Sequence, residues 1–107
     1  MRQMVRATLQ SAGYGVVEAA DGQEALDFAR TNAVDLVISD VNMPRMDGIT
    51  LVSQLRMLPA YRLTPLLLLT TESSQEKKME GKKAGATGWI VKPFNPTQLL
   101  ATLTRLL

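Results

Sequence analysis

Short apolar runs alternate with helix-period patterns along this chain, and no other feature limits its fold as tightly. Gly15 to Ala19, Asp35 to Asp40, Leu66 to Thr70 and Gly88 to Lys92 each read as a strand. Met1, Met4, Val5 and Leu9 recur at helical spacing, so a helix is expected from the first residue, with Gly13 as its left-handed stop. Further helical patterns follow Asp21, Asp47, Ser74 and Asn95, giving the order αβαβαβαβα. Strands separated by helices are joined by crossovers, which favours a parallel sheet. The expected fold class is therefore α/β, a doubly wound parallel sheet with four strands and five helices in this chain.

The helix boundaries carry their own chemistry. Asp21-Gly22-Gln23-Glu24 reads as an N-cap with glutamate three residues on, and Ser73-Ser74-Gln75-Glu76 opens the fourth helix. Asn95-Pro96-Thr97-Gln98 is a cap, a proline at the first helical position and a glutamine at the third, ahead of Leu99, Leu100, Leu103 and Leu106. Asp47 caps the helix that carries Leu51, Val52, Leu55 and Leu58. At 107 residues with 46% hydrophobic and 21% charged content, one domain with a real core is expected over residues 1–107, without linker or repeat.

Composition removes several chemistries. The chain has no cysteine and no histidine, which excludes thiolate nucleophiles, imidazole catalysis and zinc sites built on either, so any metal must use oxygen ligands. A net charge of +2 is too small to argue for a nucleic-acid partner. The longest unbroken apolar stretch falls far short of the roughly 20 residues of a membrane helix, and a cytoplasmic protein without a membrane partner is expected.

The candidate centre of chemistry is Asp40. It ends the run Leu36-Val37-Ile38-Ser39-Asp40 and leads into Val41-Asn42-Met43-Pro44-Arg45-Met46-Asp47-Gly48, so a carboxylate arrives at a loop mouth from a strand. In open parallel sheets, ligands bind outside the carboxyl ends of strands. Thr70 and Lys92-Pro93 stand at two other strand ends.

This set of residues resembles the receiver domain of two-component response regulators, most closely the single-domain chemotaxis (CheY-like) type, whose fold is flavodoxin-like with strand order 2-1-3-4-5. The resemblance spans essentially the whole chain. It rests on Ile38 to Pro44 followed by Met46-Asp47-Gly48, on Thr70 closing an apolar strand, on Ala84-Gly85-Ala86, and on Lys92-Pro93-Phe94. It implies a phosphorelay, with Asp40 taking a phosphoryl group from a histidine kinase and then switching a partner-binding surface. Lys92 would be the electrostatic partner and Thr70 the hydroxyl drawn to the phosphoryl group. Trp89 matches the aromatic that changes rotamer on switching. The family's cation is magnesium (Mg2+), to which Asp40 and the backbone carbonyl of Asn42 would be ligands. The partner surface would comprise Ser74 to Ala84, Trp89 and the C-terminal helix. The resemblance implies a phosphoacceptor, not a metabolic enzyme, with at most slow self-dephosphorylation.

One departure from the family pattern matters. The family opens with a central strand and an acidic metal-binding pair, and this sequence begins beyond both, so the expected receiver domain is N-terminally truncated. Three outcomes stay open: a fragment of a longer product, which is favoured, a sheet that re-pairs, or a homodimer or strand swap that fills the gap. Magnesium binding should be weakened. A phosphorylation-independent interaction module is the alternative function. A phosphohydrolase with an aspartyl nucleophile is disfavoured because Asp40-Val41-Asn42 lacks a second acid, and a flavin site because no glycine-rich loop opens a helix.

Overall fold

In the computed structural model, which describes residues 2–71 and 75–107, the described chain separates into two bodies. Met1 and the Ser73-Ser74 cap fall outside the described residues.

Residues 19–92 hold the sheet. Three parallel strands, β1 (Val37–Asp40), β2 (Leu66–Thr70) and β3 (Gly88–Val91), lie in the order β1-β2-β3. This is the order in which the last three strands of a 2-1-3-4-5 sheet stand. β2 is buried along its whole length, which is why its sequence is an unbroken apolar run: both faces of a central parallel strand are covered. Leu66 and Leu68, on one face, join a core with Leu26 and Ala29 of α2 (Gly22–Thr31) and Leu51, Val52 and Leu55 of α3 (Gly48–Arg56). Tyr61, in a single 3₁₀ turn (Pro59–Tyr61), completes that core and donates its hydroxyl to the Asn32 carbonyl at 2.6 Å. Burial raises the Tyr61 phenol above its ordinary value.

α4 (Gln75–Ala84) is held differently. Its glutamates and three of its four lysines face solvent, Lys78 is half-buried, Met79 is exposed, and Gly81 is its one buried residue. A helix with so little apolar surface to bury is weakly anchored, as its composition predicts.

The second body joins residues 1–18 and 93–107. α1 (Arg2–Ser11) packs with α5 (Pro96–Leu106), burying Leu9, Leu99 and Leu103. Gly13 takes the left-handed conformation expected of it, φ 94°, just past α1. Asn95 and Gln98 form a reciprocal capping box at α5, with Pro96 in its first turn.

The fourth expected strand does not form: the sheet has three strands among the described residues, and residues 15–19 carry no regular secondary structure. No described segment forms a strand ladder with residues 15–19. A strand is a pairing and not a local propensity, so Val16 and Val17 cannot make one alone, and Val17 is left exposed. The other strands keep their expected positions, with β1 starting two residues later and β3 ending one residue earlier than the apolar patterns indicate.

Candidate functional site

The strand register assembles the site. Asp40 pairs with Leu69, and Thr70 with Val91, so Asp40, Thr70 and Lys92 stand at the carboxyl ends of three adjacent parallel strands. Two further main-chain bonds extend the ladder past the strands: Val41 N–H donates to the Leu69 carbonyl at 3.0 Å and Lys92 N–H to the Thr70 carbonyl at 2.7 Å. The register sets Ile90 level with Asp40 and Lys92 two positions further along, past the end of the sheet.

The Lys92 ammonium reaches across to Asp40, with Nζ 2.5 Å from Oδ1. Oδ1 is buried, and the ammonium is the charged group that meets it. The Asp40 side chain as a whole is nevertheless 40% exposed. With Oδ1 covered, that exposure falls on Oδ2 and Cβ. One oxygen is thus neutralised by a cation while the other faces solvent at the mouth, an arrangement that suits attack on an external electrophile. Thr70 is only 2% exposed and lies at the end of β2, between the strands that carry the ion pair.

Behind Asp40, Gly48 lies against the main chain of Asp40 itself. A Cβ there would stand 2.1 Å from the Asp40 carbonyl oxygen, so only glycine lets α3 begin so close to the end of β1. The Gly48 N–H donates to the Val41 carbonyl at 2.8 Å. Asp47 is a helix cap, its Oδ1 accepting from the Thr50 N–H at 2.7 Å. Asn42 is exposed in the same loop.

Two arginines have roles that no local pattern announces. Arg45 makes a two-pronged bridge to Asp21, Nε to Oδ2 at 2.9 Å and Nη2 to Oδ1 at 3.1 Å, although 24 positions separate them. Asp21 is also the α2 cap, accepting from the Glu24 N–H at 2.9 Å. The guanidinium first, and then this N–H, hold the Asp21 carboxyl below its ordinary range. Arg56 donates to the carbonyls of Gly85, Tyr61, Arg62 and Thr64 and to the Thr87 hydroxyl, tying the end of α3 to the turn before β3. In sequence it is only a basic residue in the last turn of a helix. The positive φ of Arg45 is a structural signal, and only the folded backbone carries it.

Trp89 packs its six-membered ring against Gly81 and Leu68, and its indole Nε1 is buried without a hydrogen-bond partner.

Magnesium favours six oxygens, usually one or two carboxylates with waters and phosphate. Among the described residues no group of three acidic side chains converges, and the carboxylate at the site already has an ammonium on one oxygen. These residues do not by themselves make a magnesium site.

The model of the family described as response regulator receiver domain matches residues 1–104. The chain is 36% identical over 104 residues to the alkaline phosphatase synthesis transcriptional regulatory protein PhoP of Bacillus subtilis, covering 97% of this chain and 42% of that protein. It thus spans about two fifths of the length of the curated relatives it matches. Among solved structures, the chemotaxis response regulator CheY4 of Vibrio cholerae superposes with a TM-score of 0.94 at 60% identity, covering 99% of this chain and 88% of that one. The receiver domain of the sensor histidine kinase PA1611 of Pseudomonas aeruginosa, with a magnesium ion coordinated in its active site cleft, gives 0.90 at 28% identity, covering 98% and 86%.

Proposed function

The chain belongs to the response regulator receiver domain family, the phosphoacceptor signalling domains of two-component systems, and on that premise we propose that Asp40 is its phosphoacceptor. The observation that carries this reading is the Lys92 ammonium 2.5 Å from one oxygen of a strand-end carboxylate whose other oxygen is open.

The chemistry follows from charge. A carboxylate and a phosphoryl group are both anionic, so they meet only where a cation offsets the repulsion. The open oxygen of Asp40 attacks phosphorus, the phosphorus–nitrogen bond to the donor imidazole breaks, and the nitrogen keeps the electron pair and takes up a proton. Lys92 neutralises one charge of the resulting acyl phosphate. Thr70, at the end of the intervening strand, is the hydroxyl in reach of a group that grows outward from Asp40. Its displacement, with Trp89 seated on α4, carries the change to the surface. The weakly anchored α4 is suited to respond, and with Trp89 it forms the face offered to a downstream protein. Receiver domains bind Mg2+, and here Asp40 and the Asn42 carbonyl would supply two of its oxygen ligands, where the ion would help offset the charge of the phosphoryl group.

The test is phosphoryl uptake from phosphoramidate with magnesium, followed by intact mass and by Trp89 fluorescence. One phosphoryl group is expected on the chain and none on Asp40→Ala. Uptake that persists in Asp40→Ala refutes the assignment. A chain that takes up no phosphoryl group yet binds a receiver target is an interaction module instead.

A further inference from the structure

Arg45 is the one non-glycine residue with positive φ, 65°, among the described residues. A side chain in this region is strained, and such a residue persists where its surroundings hold it. Here the hold is the two-pronged bridge to Asp21, and a planar guanidinium on a carboxylate fixes both direction and distance. The next residue of each partner is also engaged. Gly22, after Asp21, lies so close to Met46, after Arg45, that a Cβ on it would stand 2.5 Å from the Met46 carbonyl oxygen. The tip of the loop after Asp40 is therefore fastened to the first turn of α2, while its base is fastened to Asp40 and Val41 through Gly48.

We propose that Asp21 and Arg45 are positioning residues for phosphoryl transfer, bridging the loop tip to α2 so that the segment 41–48 holds the acceptor carboxylate and the Asn42 carbonyl in register. The inference rests on the reading of Asp40 as acceptor. Arg45 is 61% exposed although Asp21 is only 14% exposed, and a pair whose cation is open to solvent adds little to global stability, so the bridge acts chiefly on the geometry of the loop.

Asp21→Asn separates the two jobs of Asp21, because asparagine caps a helix as well as aspartate does but cannot form the ion pair. Arg45→Ala removes the bridge from the other side, and Arg45→Lys keeps the charge without the fork. Three measurements on each variant are needed: amide exchange at Met46 and Gly48, the initial rate of phosphoryl uptake from phosphoramidate, and the unfolding midpoint. Asp21→Asn and Arg45→Ala should each accelerate loop exchange and slow uptake by about tenfold, below the ~10²-fold that an ångström-scale misplacement can cause. The midpoint should barely move, Arg45→Lys should fall between, and the double variant should be no worse than either single one. Normal uptake in both single variants overturns the positioning role, as do slowed uptake with unchanged exchange and single effects that simply add. Absence of uptake by the unsubstituted chain refutes the acceptor reading, and with it the purpose assigned to the bridge.

Discussion

Gly81→Ala sets two effects of opposite sign against each other at the seat of Trp89. In the middle of a helix, alanine is favoured over glycine by about 0.8–1 kcal/mol. Against this, a Cβ at position 81 would lie 3.0 Å from Trp89 Cζ3, 3.2 Å from Cε3 and 3.2 Å from Leu68 Cδ1. Carbon atoms rest near 3.5–4.0 Å, so the indole must retreat from α4 by roughly 0.5 Å. Overpacking of this kind costs about 1–3 kcal/mol, and the net expectation is a loss of about 0–2 kcal/mol. Trp89→Phe supplies the control. It removes the benzo ring that meets the new methyl and also removes the buried indole N–H, which has no partner. In that background only the 3.2 Å approach to Leu68 Cδ1 remains, so Gly81→Ala should be better tolerated than with Trp89 by about 1–3 kcal/mol, the coupling that the cycle measures. Urea unfolding followed by far-ultraviolet circular dichroism measures all four variants, and the native fluorescence of Gly81→Ala should shift as the ring moves. Stabilisation by about 1 kcal/mol in both backgrounds, with unchanged fluorescence, would show that no steric seat exists.

Arg56→Met keeps the apolar stem but strips the donors from the half-buried carbonyls of Tyr61, Thr64 and Gly85; it should cost about 2–4 kcal/mol, with Arg56→Lys recovering part, and thermal unfolding giving a loss under about 1 kcal/mol would refute the hub. Asn95→Ala opens the capping box of α5 and should cost about 1 kcal/mol in urea unfolding, whereas Asn95→Asp should be nearly neutral. The carboxyl of Asp21 is lowered from its ordinary value of 3.8, so its contribution is complete above that value and is lost as pH falls through the still lower folded value. The difference in loop amide exchange between the unsubstituted chain and Asp21→Asn should therefore be constant at neutral pH and shrink only below about pH 4; a difference that fades near pH 6 would contradict the assignment. Tyr61 has the opposite sense: its raised phenol contributes below 10.0 and loses that contribution as pH climbs through the folded value, so Tyr61→Phe should flatten the alkaline limb of the stability curve.

Features encoded by neighbours in the chain were legible from the amino-acid sequence. The caps at Asp21, Asp47 and Asn95, the stop at Gly13 and the buried strand Leu66–Thr70 each depend on residues within a few positions of one another. The order of the five helices and of the three strands that form, and the delivery of Asp40, Thr70 and Lys92 to strand ends, follow from the same local patterns. The resemblance of the motif set to receiver domains added the strand order.

Tertiary structure alone decided which distant groups meet. Strand register brings Lys92 to Asp40 across 52 positions of chain, and the loop tip finds Asp21 through a backbone conformation at Arg45 that its residue type disfavours. Arg56 became a hub because four carbonyls and a hydroxyl from separate segments converged on it. Residues 15–19 make the point in reverse: a strand-forming composition yields no strand without a partner, because the hydrogen bonds that define a sheet belong to pairs of segments and not to either one.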